Sequence, residues 1–131
     1  MQIVIFNVND EQFAIEANHV EGINEILNIT KVPKSPDYVL GLINLRGNII
    51  TILDIHKLLK MPKDNYSENN IVIVNVMNEV IGIVVDQVDE VIEIETLNIK
   101  NDEIQERYIK GIIQLQDRII TLITLEELIN L

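Results

Sequence analysis

The 131-residue chain has no cysteine and no tryptophan, five glycines, three prolines, and ten basic residues against twenty-one acidic ones. Without cysteine there is no disulfide framework and no thiolate metal site. A net charge of −11 speaks against nucleic acid, which requires clustered lysine and arginine, and against anionic membrane surfaces. The longest apolar run, Val80–Val85, falls far short of the roughly 20 residues a membrane-spanning helix needs. The first six residues, Met1–Phe6, carry no basic flank and no cleavage signature, so a cytoplasmic, unprocessed chain is expected. Aromatics make up only 4% of the sequence, and the core must therefore be aliphatic.

Isoleucine and valine supply that core: together they are 39 of 131 residues. Their branched side chains suit a pleated, half-buried surface. They are also arranged in a repeat. Residues 41–59, GLINLRGNIITILDIHKLL, align with residues 111–129, GIIQLQDRIITLITLEELI, with seven identities. Upstream, Asn7-Val8 matches Asn75-Val76, Glu11 matches Glu79, Val20 matches Val88 and Glu25-Ile26 matches Glu93-Ile94. Both copies then require the same backbone solution. Copy one differs from copy two at Asn44–Gly47 against Gln114–Asp117, and such divergence marks where one copy has acquired a task.

Each copy reads as strand, tight turn, strand, bent segment, connector, strand, turn, strand and short helix. Strands are expected over 2–8, 12–16, 71–77 and 80–85, with hairpin turns at Asn9-Asp10 and Asn78-Glu79. Residues 17–27 are ambiguous, because Val20, Ile23 and Leu27 fit one helical face while Gly22 weakens it. Ser35–Gly41 reads as one helical turn with serine as cap and Pro36 at the first position. Arg46–Asn48 and Gln116–Arg118 are turn tripeptides. Asp54 caps a short helix that ends before Pro62, and Thr124 with Glu127 forms a capping box for its counterpart. Met61–Asn70 is the linker, and residues 95–110 hold a loop with a short helix. The expected fold is all-β with short helices: two packed five-stranded barrels within one domain over residues 1–131. Unit one spans roughly 1–62 and unit two roughly 69–131, sharing elements and core. Ile5, Val8, Ile15, Ile50, Ile52, Val74, Val84, Ile120 and Leu122 are the expected core.

Little in the sequence assembles into chemistry. Asp54 and His56 form an Asp-x-His pair, but acid–base or metal work needs a third partner; capping by Asp54 with a solvated His56 is the plainer reading. His19 has no visible partner. Asp86, Asp89, Glu90, Glu93 and Glu95 lack the spacing of a calcium loop and read as a solvated face. No catalytic residue, cofactor or metal is expected. Arg46 has two readings: a structural arginine paired with Asp54 or Glu21, or a guanidinium presented at an interface. Arg118, in copy two, is taken as a surface residue without a role in binding.

Gly41–Gly47, reading GLINLRG, and the following NIITILD closely resemble the signature of CheW-like chemotaxis coupling proteins. Val32-Pro33, Pro36–Val39, the Gly82–Val88 strand and the closing block from Gly111 extend the resemblance colinearly over nearly the whole chain. It implies two SH3-like β-barrels and no catalysis. The implied function is to couple methyl-accepting receptors, through their cytoplasmic hairpin tip, to the regulatory domain of the CheA histidine kinase. It implies a location at receptor arrays on the inner face of the membrane, with the chain itself a monomer in isolation. Carried over by position, Val20, Ile23 and Val88 would line the receptor groove, with Gly41, Asn44, Leu45 and Arg46 beside it. Thr51 departs from the family's proline, and Gly22 from a glutamate that can pair the signature arginine. The chain's compactness suits a stand-alone coupling protein. The alternatives are a CheW-like adaptor in a non-motility array, or a small metal-dependent enzyme using Asp54 and His56.

Overall fold

The structure, a computed structural model, describes residues 1–62, 70–101 and 106–129. Eleven strands, β1 (Gln2–Val8), β2 (Glu11–Glu16), β3 (Val20–Glu25), β4 (Val39–Leu45), β5 (Asn48–Asp54), β6 (Asn70–Val76), β7 (Glu79–Val85), β8 (Gln87–Glu93), β9 (Ile99–Lys100), β10 (Ile109–Leu115) and β11 (Arg118–Ile123), are joined by two short helices, α1 (Ile55–Leu58) and α2 (Leu125–Ile129). The repeat holds element by element: β1–β3 correspond to β6–β8, and β4, β5 and α1 to β10, β11 and α2.

The sheets do not follow the repeat boundary. One runs β8-β1-β2-β11-β10-β9 and the other β3-β6-β7-β5-β4. Each is therefore built from both copies. The exchange is made by two parallel pairings, β2 with β11 and β5 with β7. Residues 1–62 and 69–131 are thus not each a barrel, and the first sheet gains a sixth strand in the two-residue β9.

Side-chain alternation along the strands explains this arrangement. In β1, Ile3 and Ile5 point into a cluster with Ala14, Ile94, Ile113, Ile120 and Leu122 inside the six-stranded sheet. Val4, Phe6 and Val8, on the opposite face, join a larger cluster between the sheets with Val72, Val74, Ile83, Val85, Ile123 and Leu128. Ile43, Ile50, Ile52, Ile71, Ile73 and Val84 fill the five-stranded sheet in the same way. Strands buried on both faces read as continuous apolar runs, as β1 and β6 do. Three clusters thus replace the single continuous core expected. All nine predicted core residues are buried, each fully buried aliphatic side chain contributing about 1.5–3 kcal/mol. Phe6 and Phe13 stack in the central layer with ring centroids 6.2 Å apart.

Local expectations fail in instructive places. Residues 17–27 are a 3-10 turn (Ala17–His19) followed by β3, not a helix; pairing with β6 overrides the helical spacing of Val20, Ile23 and Leu27. Residues 35–41 hold one hydrogen-bonded turn, from the Val39 N–H to the Pro36 carbonyl at 3.0 Å, but no helix. Ser35 Oγ donates to the Val32 carbonyl at 2.8 Å instead of capping, and β4 begins at Val39. The second hairpin turn is Met77-Asn78, one residue earlier than expected, with φ of 52° and 64° matching the 51° and 67° of Asn9-Asp10. Positive φ at both central residues is the type I′ geometry that follows strand twist. Asp54 caps α1 as expected, accepting from the His56 backbone N–H. Most of the 61–70 linker, and Asp102–Gln105 of the 95–110 loop, lie outside the described residues.

Candidate functional site

The two outer strands β3 and β8 are repeat mates and edge strands of different sheets. Both carry the same irregularity. On β6, Val74 faces Val20 and Ile73 faces Gly22, leaving Glu21 bulged out. On β1, Phe6 faces Val88 and Ile5 faces Glu90, leaving Asp89 bulged out. Ladder partners share a face, so Val20 and Val88 point toward the central cluster and pack against it half-buried. Ile23 follows, opposite Val72, and is 43% exposed. Its mate Val91, opposite Val4, is 49% exposed. β8 meets the other sheet next to β3: Asn70 of β6, which faces Glu25 of β3, accepts through Oδ1 from the Val88 N–H at 2.9 Å. Val20, Ile23, Val88 and Val91 thus form an apolar strip bordering the inter-sheet core. Val91 escapes sequence inspection because it lies within an acidic run, although the 68-residue offset from Ile23 marks it.

The other expected site residues fall elsewhere. Leu45 is half-buried against the core of the five-stranded sheet. Arg46, at φ 53° in the β4–β5 turn, is exposed. It makes no ion pair among the described residues, and neither Asp54 nor Glu21 holds it. Asn44 Oδ1 accepts from the Gly47 N–H at 3.0 Å and so fixes that turn. Gly41 is buried. Its φ is +148°, and a Cβ there would collide with the Thr30 carbonyl oxygen. Gly41 therefore lets the 29–30 segment cross β4, bridging through Thr30 and Leu42, and offers no surface of its own.

His56 is not solvated. It is 1% exposed, between Asp54 at 2% and Asp86 at 6%. Nδ1 lies 3.1 Å from Asp54 Oδ1 and Nε2 lies 3.2 Å from Asp86 Oδ1. The second contact is close but not a well-aligned hydrogen bond, since Asp86 Oδ1 has no hydrogen-bond partner. Asp86 Oδ2 accepts from the Asn9 N–H at 2.8 Å. This chain of contacts joins α1 of copy one, the β7–β8 junction of copy two and the β1–β2 turn, and it sets where β8 begins. A carboxylate–imidazole–carboxylate array shut from solvent meets no substrate. Asp86 thus leaves the solvated acidic face assigned to it. The rest of that run is surface: Glu93 Oε1 lies 2.8 Å from the N-terminal ammonium, and Asp89 and Glu90 hold Arg118. His19 stays exposed, 3.6 Å from Glu16 Oε2. No group of three or more histidine and acidic side chains suited to a metal occurs among the described residues, and no helix there is long and apolar enough to cross a membrane.

The CheW-like domain family matches residues 2–131. The chain is 30% identical to the probable chemotaxis protein CheW of Rhizobium etli over 98% of its own length and 87% of that protein's. It is 26% identical to the chemotaxis protein CheW of Thermotoga maritima over 98% and 87%. The crystal structure of scaffolding protein TtCheW from Thermoanaerobacter tengcongensis superposes with a TM-score of 0.91 at 30% identity, covering 99% of this chain and 92% of that one. The alternative of a small Asp54/His56 enzyme is thereby set aside: the chain belongs to the CheW-like family of non-enzymatic chemotaxis scaffolds.

Proposed function

We propose that this scaffold couples chemoreceptors to the CheA histidine kinase by seating the receptor hairpin tip along the strip between β3 and β8, while the kinase's regulatory domain uses another face. The observation that carries the reading is the strip itself. Val20, Ile23, Val88 and Val91 stand half-buried to exposed on two edge strands, brought together where the two sheets meet. A helical hairpin docks an apolar stripe into such a groove. Acidic residues on both sides, Glu21, Glu25, Asp89 and Glu93, supply a polar rim. Leu45 and Arg46, which line a cleft with Glu21, Gly22 and Asn24 of β3, contact the flank of the same partner, and Asn44 fixes their turn. Gly41 contributes only through the backbone path it permits.

The whole chain acts as one domain, a monomer in isolation, on the cytoplasmic face of a receptor array. It performs no chemistry: holding two partners raises their effective concentration and fixes their geometry. The test is reconstitution of the cognate receptor fragment and kinase with and without this chain. Receptor control of the kinase should require it. Val20→Asp and Val91→Asp should weaken the receptor fragment while leaving the kinase bound, because each would desolvate an uncompensated charge. Normal receptor binding by both folded variants would place the receptor elsewhere.

A further inference from the structure

Asn70 stands where the two sheets meet, at one end of the apolar strip. The inward-facing residues of β6 alternate along the strand: Val74 faces Val20 of β3, Val72 faces Ile23 and Asn70 faces Glu25. Val72 and Val74 are buried in the inter-sheet cluster. Asn70, next in that row, is half-buried, and with it the row turns polar. Its Oδ1 accepts from the Val88 N–H at 2.9 Å. Asn70 belongs to the five-stranded sheet and Val88 to the outer strand of the six-stranded one. One side chain therefore ties β8 to the strand that supports β3, at the point where the end of β3 meets the start of β8.

The repeat shows why a side chain is needed there. Val20, the mate of Val88, begins β3, and its N–H is taken by the Ala17 carbonyl, which closes the 3-10 turn Ala17–His19. No such turn leads into β8. Only Asp86 separates it from β7, so the Val88 N–H takes its acceptor from the other sheet. Left open, that edge amide would offer itself to an incoming strand, or cost the desolvation of an unpaired donor under a partner. The same contact fixes which way the carboxamide faces. A backbone N–H requires the oxygen, so the Nδ2 protons point elsewhere. They find no acceptor among the described residues.

We infer that Asn70 is a receptor-contact residue: its Oδ1 positions Val88, and its Nδ2 donates to a main-chain carbonyl at the tip of the receptor hairpin. The chemistry of the partner supplies that acceptor. Where a helix ends at a hairpin tip, its last-turn carbonyl groups have no partner within the helix. Carbonyls in the middle of a helix are already bonded to N–H groups one turn on. The contact therefore also sets the direction of docking, with the tip at the end of the strip where Glu25 and Val88 lie. The acceptor is a neutral carbonyl and not a carboxylate. Glu25, opposite Asn70, and Asp89, next to Val88, are both exposed, and a further negative charge between them would be repelled. This inference rests on the seating of the receptor along the strip.

Two variants of the full chain separate the two roles. Asn70→Asp keeps an oxygen for the Val88 N–H and removes the donor, whereas Asn70→Ala removes both. Affinity for the receptor fragment should fall about tenfold in each, with native circular dichroism and unchanged kinase binding. The loss in Asn70→Asp should persist at high salt, where repulsion from the new carboxylate is screened. Amide exchange at Val88 should accelerate in Asn70→Ala and stay slow in Asn70→Asp. In the wild type, the Asn70 side-chain NH2 resonances should move downfield on saturation with the receptor fragment. Wild-type affinity of folded Asn70→Asp, a loss that vanishes at high salt, or unmoved NH2 resonances would overturn the contact, and the strip would stand as long as Val91→Asp still weakens binding. Equal Val88 exchange in wild type and Asn70→Ala would overturn the positioning role irrespective of the receptor. If the receptor fragment fails to bind the wild type, or binds Val20→Asp and Val91→Asp normally, the strip and the Asn70 contact fall together.

Discussion

Replacing His56 by alanine tests how the interleaved halves are held together. The imidazole stands between two carboxylates, 3.1 Å from Asp54 and 3.2 Å from Asp86, with all three residues buried. Removing one partner from a buried charged network costs about 3–5 kcal/mol, because the remaining charge loses its compensation. Each carboxylate keeps one backbone donor: Asp54 accepts from the residue-56 N–H at 3.0 Å and Asp86 from the Asn9 N–H at 2.8 Å. The loss should therefore fall at the lower end, about 3 kcal/mol. For a chain of this length that corresponds to a fall in Tm of roughly 10 °C. Urea unfolding by circular dichroism gives the free energy directly, with an unchanged m-value confirming that compactness is kept. A double-mutant cycle with Asp86→Ala isolates the pair and should show a coupling of about 1–3 kcal/mol. A loss below about 1 kcal/mol with additive effects would refute the reasoning, because a solvated histidine would behave that way.

Other perturbations read different parts of the scaffold. Gly82→Ala would place a Cβ 2.5 Å from Ile52 Cδ1 and 2.9 Å from Ile71 Cγ2; it should destabilise by about 1–3 kcal/mol in thermal unfolding, and Ile52→Val should recover part of that. Gly41→Ala should destabilise by a similar or larger amount and increase amide exchange at Thr30 and Leu42, whose mutual bonds are 2.9 and 2.8 Å. Fragments 1–62 and 69–131 should each fail to fold alone yet regain native circular dichroism when mixed, since neither contains a complete sheet. Arg118→Glu would set a third carboxylate against Asp89 and Glu90, so it should lower Tm instead of acting as a silent surface change.

The fold was legible in the sequence where the repeat constrained it. Matching segments with the same turn chemistry had to adopt the same elements, and the Ile/Val alternation named the buried positions. What the sequence could not show was partner choice between strands. β2 could have paired with β4 or β5 of its own copy, and only three-dimensional packing selects β11. The same blindness hid the site details. Asp86 looked like one member of an acidic surface run, and His56 like a residue beside a helix cap, because the contact between them spans 30 positions and depends on the exchanged sheets. Arg118 looked neutral because its acceptors lie on β2 and β8, distant in sequence. The family resemblance points to Val20, Ile23 and Val88 as lining the proposed receptor strip, whereas Val91 emerges only when the repeat offset is carried through the acidic run.

The shared bulge on β3 and β8 also limits how any partner can approach. An edge strand normally offers unpaired backbone groups to an incoming strand. Here both edges are interrupted at the same repeat position, and both carry exposed acids: Glu21 and Glu25 on one, Asp89, Glu90 and Glu93 on the other. Bulges and charges of this kind oppose strand addition. A partner must therefore engage side chains on the faces flanking the edges, as a helical hairpin does, and not extend the sheet. The same bulge that blocks one mode prepares the other. It pushes Glu21 and Asp89 out of register while leaving Val20 and Val88 facing the core. Copy two uses its carboxylate internally, on Arg118. Glu21 of copy one is exposed and makes no ion pair among the described residues.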